Sequence, residues 1–399
     1  MPLGRSFRWL LSGNASANLA DGITFVAIPL VATTLTTDPT LIAGLSLAYS
    51  LVRMVLVVPI GVLVDRIDHR RLMLIANLAR GALLVGLAAI FASGHGSIPL
   101  LYFVFAVVGI LETAADNAGL SVLPSIVPAD DLDRANGRIA TTQLVADEFV
   151  GPPLGGLLFG IAVAAPIAVT GGLYAAAGMF FLALPRRRAR VVEESRSSRT
   201  RFWRDAIEGA TWLRGHRQLL SLAIMNGLAS VAYLATFSLL VLYAGTVLRL
   251  DPTGYGVLLA VSALGGLVGS VVAAPLRQLI GYRWILTGSL ALGSATMLGL
   301  FLTDNPFLAG ALLAGYILHA TVWNVCGVAL RQRSVPEAIR GRINSLFKLS
   351  ALVGLVIGAA IAGPLATGLG LPAPFAVAGL IFAAGAVLIN VTTRGVRDR

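Results

Sequence analysis

Apolar runs of about twenty residues, the length a helix needs to cross a bilayer, follow one another along the whole chain with polar turns between them. They fall near 10–34, 41–64, 72–93, 98–124, 139–162, 166–184, 219–246, 255–276, 284–302, 307–330, 343–367 and 374–393. In hydrocarbon every backbone N–H and C=O must be paired within the protein, which a helix does alone. The pattern therefore predicts an all-α polytopic membrane protein with twelve transmembrane helices. Composition agrees: 57% of residues are hydrophobic and 12% charged, against roughly 25% charged in a soluble domain.

The longest polar stretch lies in the middle, so six runs precede it and six follow. Two pseudo-symmetric six-helix halves are expected, 1–184 and 219–399, joined by a linker at 185–218. The linker ends in FWRDAIEGATWLRGHRQL, where Phe202, Trp203, Ile207, Trp212 and Leu213 alternate with charge as in an interfacial amphipathic helix. Internal echoes support a duplication, a common origin of transporter halves. Leu47–Ser50 aligns with Leu259–Ser262, and Gly151–Pro152 with Gly363–Pro364 at the same offset. That register sets Asp65 on Arg277, so the second copy has lost the acid.

Charge orients the chain and removes several function classes. Outside the spans, basic residues occupy alternate loops, with Arg249 alone in the opposite set, which predicts cytoplasmic termini. The net charge of +11 is thereby accounted for without a nucleic-acid partner. The basic start at Arg5 and Arg8 leads into a run too long for a cleaved leader, so the first helix is expected to stay. A single cysteine, Cys326, excludes a Cys-cluster metal site, and none of the four histidines sits in an H-E-x-x-H pattern. Lys348 is the only lysine, in the context FKLS, so a phosphate-binding G-x-x-x-x-G-K-[ST] loop is absent. No metal, cofactor or enzymatic constellation is expected.

Two motifs carry a resemblance. The second run ends in GVLVDRIDHRR, where Gly61, Asp65, Arg66 and Arg70 resemble the signature loop between the second and third helices of the major facilitator superfamily. Asp68 stands where that signature usually has Gly, and His69 where it usually has Arg. GPPLGG, with Gly151, Pro152, Gly155 and Gly156, resembles the core of the fifth-helix antiporter motif, although Asp147 replaces the Gly expected before it. The combination is similar to the twelve-helix exporter branch that holds macrolide-efflux and enterobactin-exporter proteins. The resemblance implies that Asp65 reaches the start of the eleventh span, flanked by Arg340 and Arg342, and acts with Arg66 and Arg70 as a conformational latch. Asp65→Asn is then expected to lose transport while leaving the fold intact.

Charged groups inside spans cost about 2.5 to 3.5 kcal/mol each on insertion scales and mark function or pairing. They concentrate in the first half: Asp21, Arg53, Glu112, Asp116, Asp147 and Glu148. Glu112 and Asp116, spaced i, i+4, share a helix face. Two neighbouring acids in a low-dielectric cavity resist carrying both charges, which suits one to binding and releasing a proton. Proton coupling is accordingly assigned to Glu112, Asp116, Asp21 and Asp147, with Asp21 and Arg53 expected to be partners of one another and Glu112 an alternative partner for Arg53. Arg80 is expected to reach for the nearby membrane surface. The cavity is assigned Arg53, Asn226, Tyr233, His319 and Asn324.

The reading that unites these features is a monomeric secondary transporter, a proton antiporter exporting amphipathic small molecules from a lipid bilayer by alternating access. Net acidity in the first half suits a cationic drug or dye. A dedicated exporter of a metabolite such as a siderophore, and a non-transporting scaffold or sensor, are the alternatives.

Overall fold

The computed structural model describes residues 3–64, 67–185 and 208–394. Helices account for nearly all of it: α1 Gly4–Thr33, α2 Pro39–Val64, α3 His69–Ala92, α4 Ile98–Ile126, α5 Leu132–Gln143, α6 Gly151–Ile161 and α7 Ala165–Leu182. A short helix at 208–214, α8, leads to α9 Arg217–Phe237, α10 Leu240–Thr246, α11 Pro252–Leu302, α12 Pro306–Ser334, α13 Glu337–Leu369 and α14 Ala373–Thr392. Among the described residues there is no strand. Eleven helical stretches among the described residues are long and apolar enough to cross a membrane. One of them, α11, has 51 residues, about 76 Å at 1.5 Å per residue, more than twice the ~30 Å hydrocarbon core. It is broken at Gly281, whose φ of 78° is open to glycine without strain. It therefore holds two spans, which makes twelve among the described residues.

Local chemistry sets the helix ends. Asp68, the departure from the loop signature, caps α3: its side chain accepts from the Arg71 N–H at 3.0 Å. Asn305 caps α12 by accepting from the N–H groups of Phe307 and Leu308, with Pro306 in the first turn, where its missing donor costs nothing.

The fifth span departs from regular helix. After α5 the chain forms a seven-residue π segment, Leu144–Val150, before α6. Its cause is the Pro152–Pro153 pair. The Gly151 N–H bonds to Ala146 O, five residues back. Pro152, next in line for the Asp147 carbonyl, has no N–H to give.

Packing divides the chain into two compact units, residues 1–192 with 250–260, and residues 193–249 with 261–399. In the first, α3 packs on α7, α1 on α6 and α7, and α4 on α2 and α3. Phe7, Leu10, Met73, Ala118 and Phe181 form its core at one end. Residues 250–260 join this unit through close backbone approach: a Cβ on Gly156 would lie 2.2 Å from Pro252 O, and one on Gly256 2.5 Å from Pro152 O. In the second, α9 is flanked by α13 and α14, and Gly354 lets α13 lie directly on α9, where a Cβ would meet Gly227 O at 2.2 Å. Large apolar side chains on the outside, such as Leu279, Leu302 and Phe307, are exposed as lipid contact requires.

Candidate functional site

Asp21, Arg53, Arg80 and Glu112 of the first unit form one connected network, built on a buried arginine. Arg80 of α3 is 2% exposed. Its Nη2 lies 2.5 Å from Asp21 Oδ1 and 3.4 Å from Glu112 Oε2. The same nitrogen donates to Tyr174 OH at 2.6 Å, and that hydroxyl donates to Asp21 Oδ1 at 2.5 Å. Beyond Glu112 the network continues: Tyr49 OH donates to Oε2 at 2.7 Å, and Arg53 Nη1 donates to Oε1 at 3.0 Å. Arg53 also lies over the Tyr49 ring, 5.0 Å from its centroid, and Tyr49 stacks on Phe105 at 4.7 Å.

Five spans thus meet through two acids, two arginines and two tyrosines. The formal charges cancel. An isolated charge at this depth would cost several kcal/mol, and mutual pairing removes the need for water.

Two expectations are corrected here. Asp21 pairs with Arg80, not with Arg53, which instead binds Glu112 as in the alternative. Arg80 does not reach for the membrane surface: its side chain is enclosed, its guanidinium 3.7 Å from the Tyr174 ring centroid. Linear position suggested snorkelling because partners on α1, α4 and α7 are invisible in the local sequence. Tyr49 and Tyr174 were not singled out either; as uncharged residues in apolar runs, nothing but an unassigned arginine nearby could have pointed to them.

Asp116 and Asp147 stand apart. Neither forms a hydrogen bond or ion pair with a described residue; Asp116 is exposed and Asp147 half-buried. Asp147 sits on the π segment, whose bulge drives its carbonyl against α1: a Cβ on Gly22 would fall 2.3 Å from Asp147 O. One turn on, a Cβ on Gly151 would fall 2.6 Å from Gly22 Cα, and one on Gly155 3.0 Å from Ile23 O. Gly151 and Gly155 are therefore the surface on which α6 touches α1. They set Asp147 beside the helix that carries Asp21.

In the second unit Asn226 and Asn324 line a cavity of about 220 Å³ between α9, α12 and α13. Asn226 donates to Phe347 O at 3.0 Å and to Ser350 Oγ at 3.2 Å. Tyr233 stacks on Phe237 at 4.6 Å and does not line it. His319 is a correction: at 2% exposure it is packed between Phe382 and Tyr316, with ring centroids at 4.8 and 5.7 Å. It faces the interior of the unit rather than a cavity, because Gly293 opens a slot for its ring.

Of the expected latch, Asp65 and Arg66 lie outside the described residues, and Gly61 lies in the last turn of α2. Arg70 Nε donates to Phe181 O at 3.2 Å, and its Nη2 to Leu182 O, tying the start of α3 to the end of α7. Arg342 pairs with Glu208 of α8 at 2.9 Å, and Arg340 makes no ion pair with a described residue. The linker helix is thus seated on the start of α13. No cluster of metal-ligating side chains occurs among the described residues.

The sequence matches the family model described as Major Facilitator Superfamily over residues 10–251 and again over 219–397. The chain belongs to the major facilitator superfamily. It is a multi-pass membrane transporter and not an enzyme. Among curated relatives, the enterobactin exporter EntS of Citrobacter koseri is 27% identical over 313 residues, covering 76% of this chain and 72% of that one. Its counterpart in Shigella boydii serotype 4 is 26% identical over 353 residues, covering 86% and 81%. Among solved structures, a mutant of the nucleoside transporter NupG superposes with a TM-score of 0.78 at 13% identity, covering 98% of this chain and all of that one. A bacterial homologue of the iron transporter ferroportin gives 0.68 at 18%, covering 97% and 96%. At such identities the structures attest the superfamily fold alone.

Proposed function

We propose that this transporter exports amphipathic small molecules across the bacterial plasma membrane, its termini in the cytoplasm, and exchanges them for protons carried by Asp116 and Asp147. The observation that carries this reading is the partition of the first unit's acids. Asp21 and Glu112 are held by Arg80 and Arg53, and an acid neutralised by a fixed cation has little to gain from a proton. Asp116 and Asp147 have no such partner among the described residues. Intramembrane acids without fixed partners are the groups that serve proton relays. On this reading the coupling set is two carboxylates, and Asp21 and Glu112 take positioning roles.

The test is export from inverted vesicles or proteoliposomes with an imposed proton gradient, across macrolides, cationic dyes and catecholate siderophores. Substrate-dependent proton release that a protonophore collapses supports the antiporter. Export that ignores both gradient and protonophore would sink proton coupling while leaving export in place.

A second reading has its own support: the relatives reported above are named enterobactin exporters. A siderophore or similar secreted metabolite is then the physiological cargo. The same assay decides, because transport of the siderophore with none of the drugs selects the dedicated exporter.

A further inference from the structure

The cavity between α9, α12 and α13 differs in chemistry from everything in the first unit. Two cations, Arg331 from α12 and Lys348 from α13, line it, and no acid does. Neither forms an ion pair with a described residue, although Arg53 and Arg80 are both matched by carboxylates. Arg331 is held in place by lying over the Phe347 ring, 4.5 Å from its centroid, and its Nε is buried without a hydrogen-bond partner. The apolar side of the cavity is aromatic: Trp323 and Phe347, both largely buried, line it. Its volume of about 220 Å³ falls below the ~300–1,000 Å³ of a pocket for a whole drug-sized ligand. It has room for a flat group of one or two fused rings.

We propose that this cavity is a subsite for an anionic, aromatic part of the transported molecule, with Arg331 and Lys348 taking the negative charge and Trp323 and Phe347 the ring. A guanidinium and an ammonium lining one cavity suit a carboxylate or phenolate, whose charge-assisted hydrogen bonds are the stronger kind. Flat aromatic walls suit a flat ring. The cargo thereby carries negative charge on an aromatic group, in contrast to the cationic cargo expected from the sequence. The proposal deepens the export reading and depends on it only for the direction of transport.

The experiment measures binding by equilibrium dialysis, with the purified full-length protein in nanodiscs of zwitterionic lipid. Three radiolabelled probes share one naphthalene group and differ in charge: 1-naphthoate, 1-naphthamide and 1-naphthylmethylammonium. Saturable binding of naphthoate is expected, about tenfold or more tighter than the amide, with no saturable binding of the cation. Lys348→Gln and Arg331→Gln should each weaken naphthoate by a similar factor, and Lys348→Arg should restore it. Lys348 is exposed, so its variants test the site without threatening the fold. Equal binding of the three probes, or naphthoate binding that Lys348→Gln leaves unchanged, overturns the proposal. So does loss of naphthoate binding when phosphatidylglycerol replaces the zwitterionic lipid, since a lipid headgroup is then the occupant. Binding as expected without export in the vesicle assay would sink the export reading and leave the subsite standing.

Discussion

Arg80 and Glu112 lie 3.4 Å apart, and the same guanidinium nitrogen is 2.5 Å from Asp21, so one buried side chain on α3 joins acids of α1 and α4. A single nitrogen serving two carboxylates makes Arg80 the hub of the first unit. Its removal has larger consequences than removal of either acid.

Arg80→Met leaves Asp21 with Tyr174 as its remaining partner and Glu112 with Tyr49 and Arg53. Breaking a buried pair by deleting one partner costs about 3–5 kcal/mol. The variant should lose expression and melt well below wild type in detergent. Asp21→Asn added to it removes the stranded charge and should recover much of the loss. Thermal unfolding of the single and double variants checks this; a double variant no more stable than the single would show that Asp21 is not the charge Arg80 compensates.

Asp116→Asn and Asp147→Asn should behave in the opposite way. Neither carboxylate holds a fixed partner among the described residues, so stability should stay within about 0.5 kcal/mol, as for substitutions away from buried networks. Transport should lose its response to an imposed pH gradient, because an amide binds no proton. Proteoliposome flux at several gradients, with melting curves as control, separates the two effects. Gradient-driven flux intact in both variants would return the coupling role to Glu112 or Asp21.

The spans were legible in the sequence because lipid imposes a simple rule: long apolar runs, polar turns and closed backbone bonding. Every apolar run from 10–34 to 374–393 lies on a helix, and the glycines at 151, 155 and 156 fall at helix contacts. Pairing was less legible. Arg80 and Asp21 meet only because α1, α3, α4 and α7 converge, and position along one helix carries no trace of that. The π segment has a local sequence cause in Pro152–Pro153, yet its effect, pressing Asp147 onto Gly22, depends on α1 being there. Arg331 and Lys348, without an ion pair among the described residues, were visible as residues, but their shared cavity belongs to the packing of three helices.

Gly22 is where two backbones touch, so it tolerates no side chain. A Cβ would sit 2.3 Å from Asp147 O, which must move together with α1 or the π segment. Overpacking of this kind costs about 1–3 kcal/mol. Gly22→Ala should lower the melting temperature by several degrees and, because it displaces Asp147, reduce gradient-driven transport beyond the loss of folded protein. Flux normalised to folded protein is the deciding quantity. Normal flux per folded molecule would mean that the α1 contact does not position Asp147.

Pro152→Ala tests the π segment itself. With an N–H restored at 152, an α-helical bond to the residue 148 carbonyl becomes available, and the segment can relax from five-residue to four-residue spacing. Relaxation would rotate Asp147 around the helix axis and withdraw its carbonyl from Gly22. A backbone hydrogen bond gained contributes about 1 kcal/mol, so the variant should be at least as stable as wild type while gradient-driven transport falls. Stability bought at the cost of activity is the signature of a strained functional segment. Melting temperature and flux measured on the same preparation check both halves. If transport survives unchanged, the π segment is a packing consequence of Pro152 with no part in positioning Asp147.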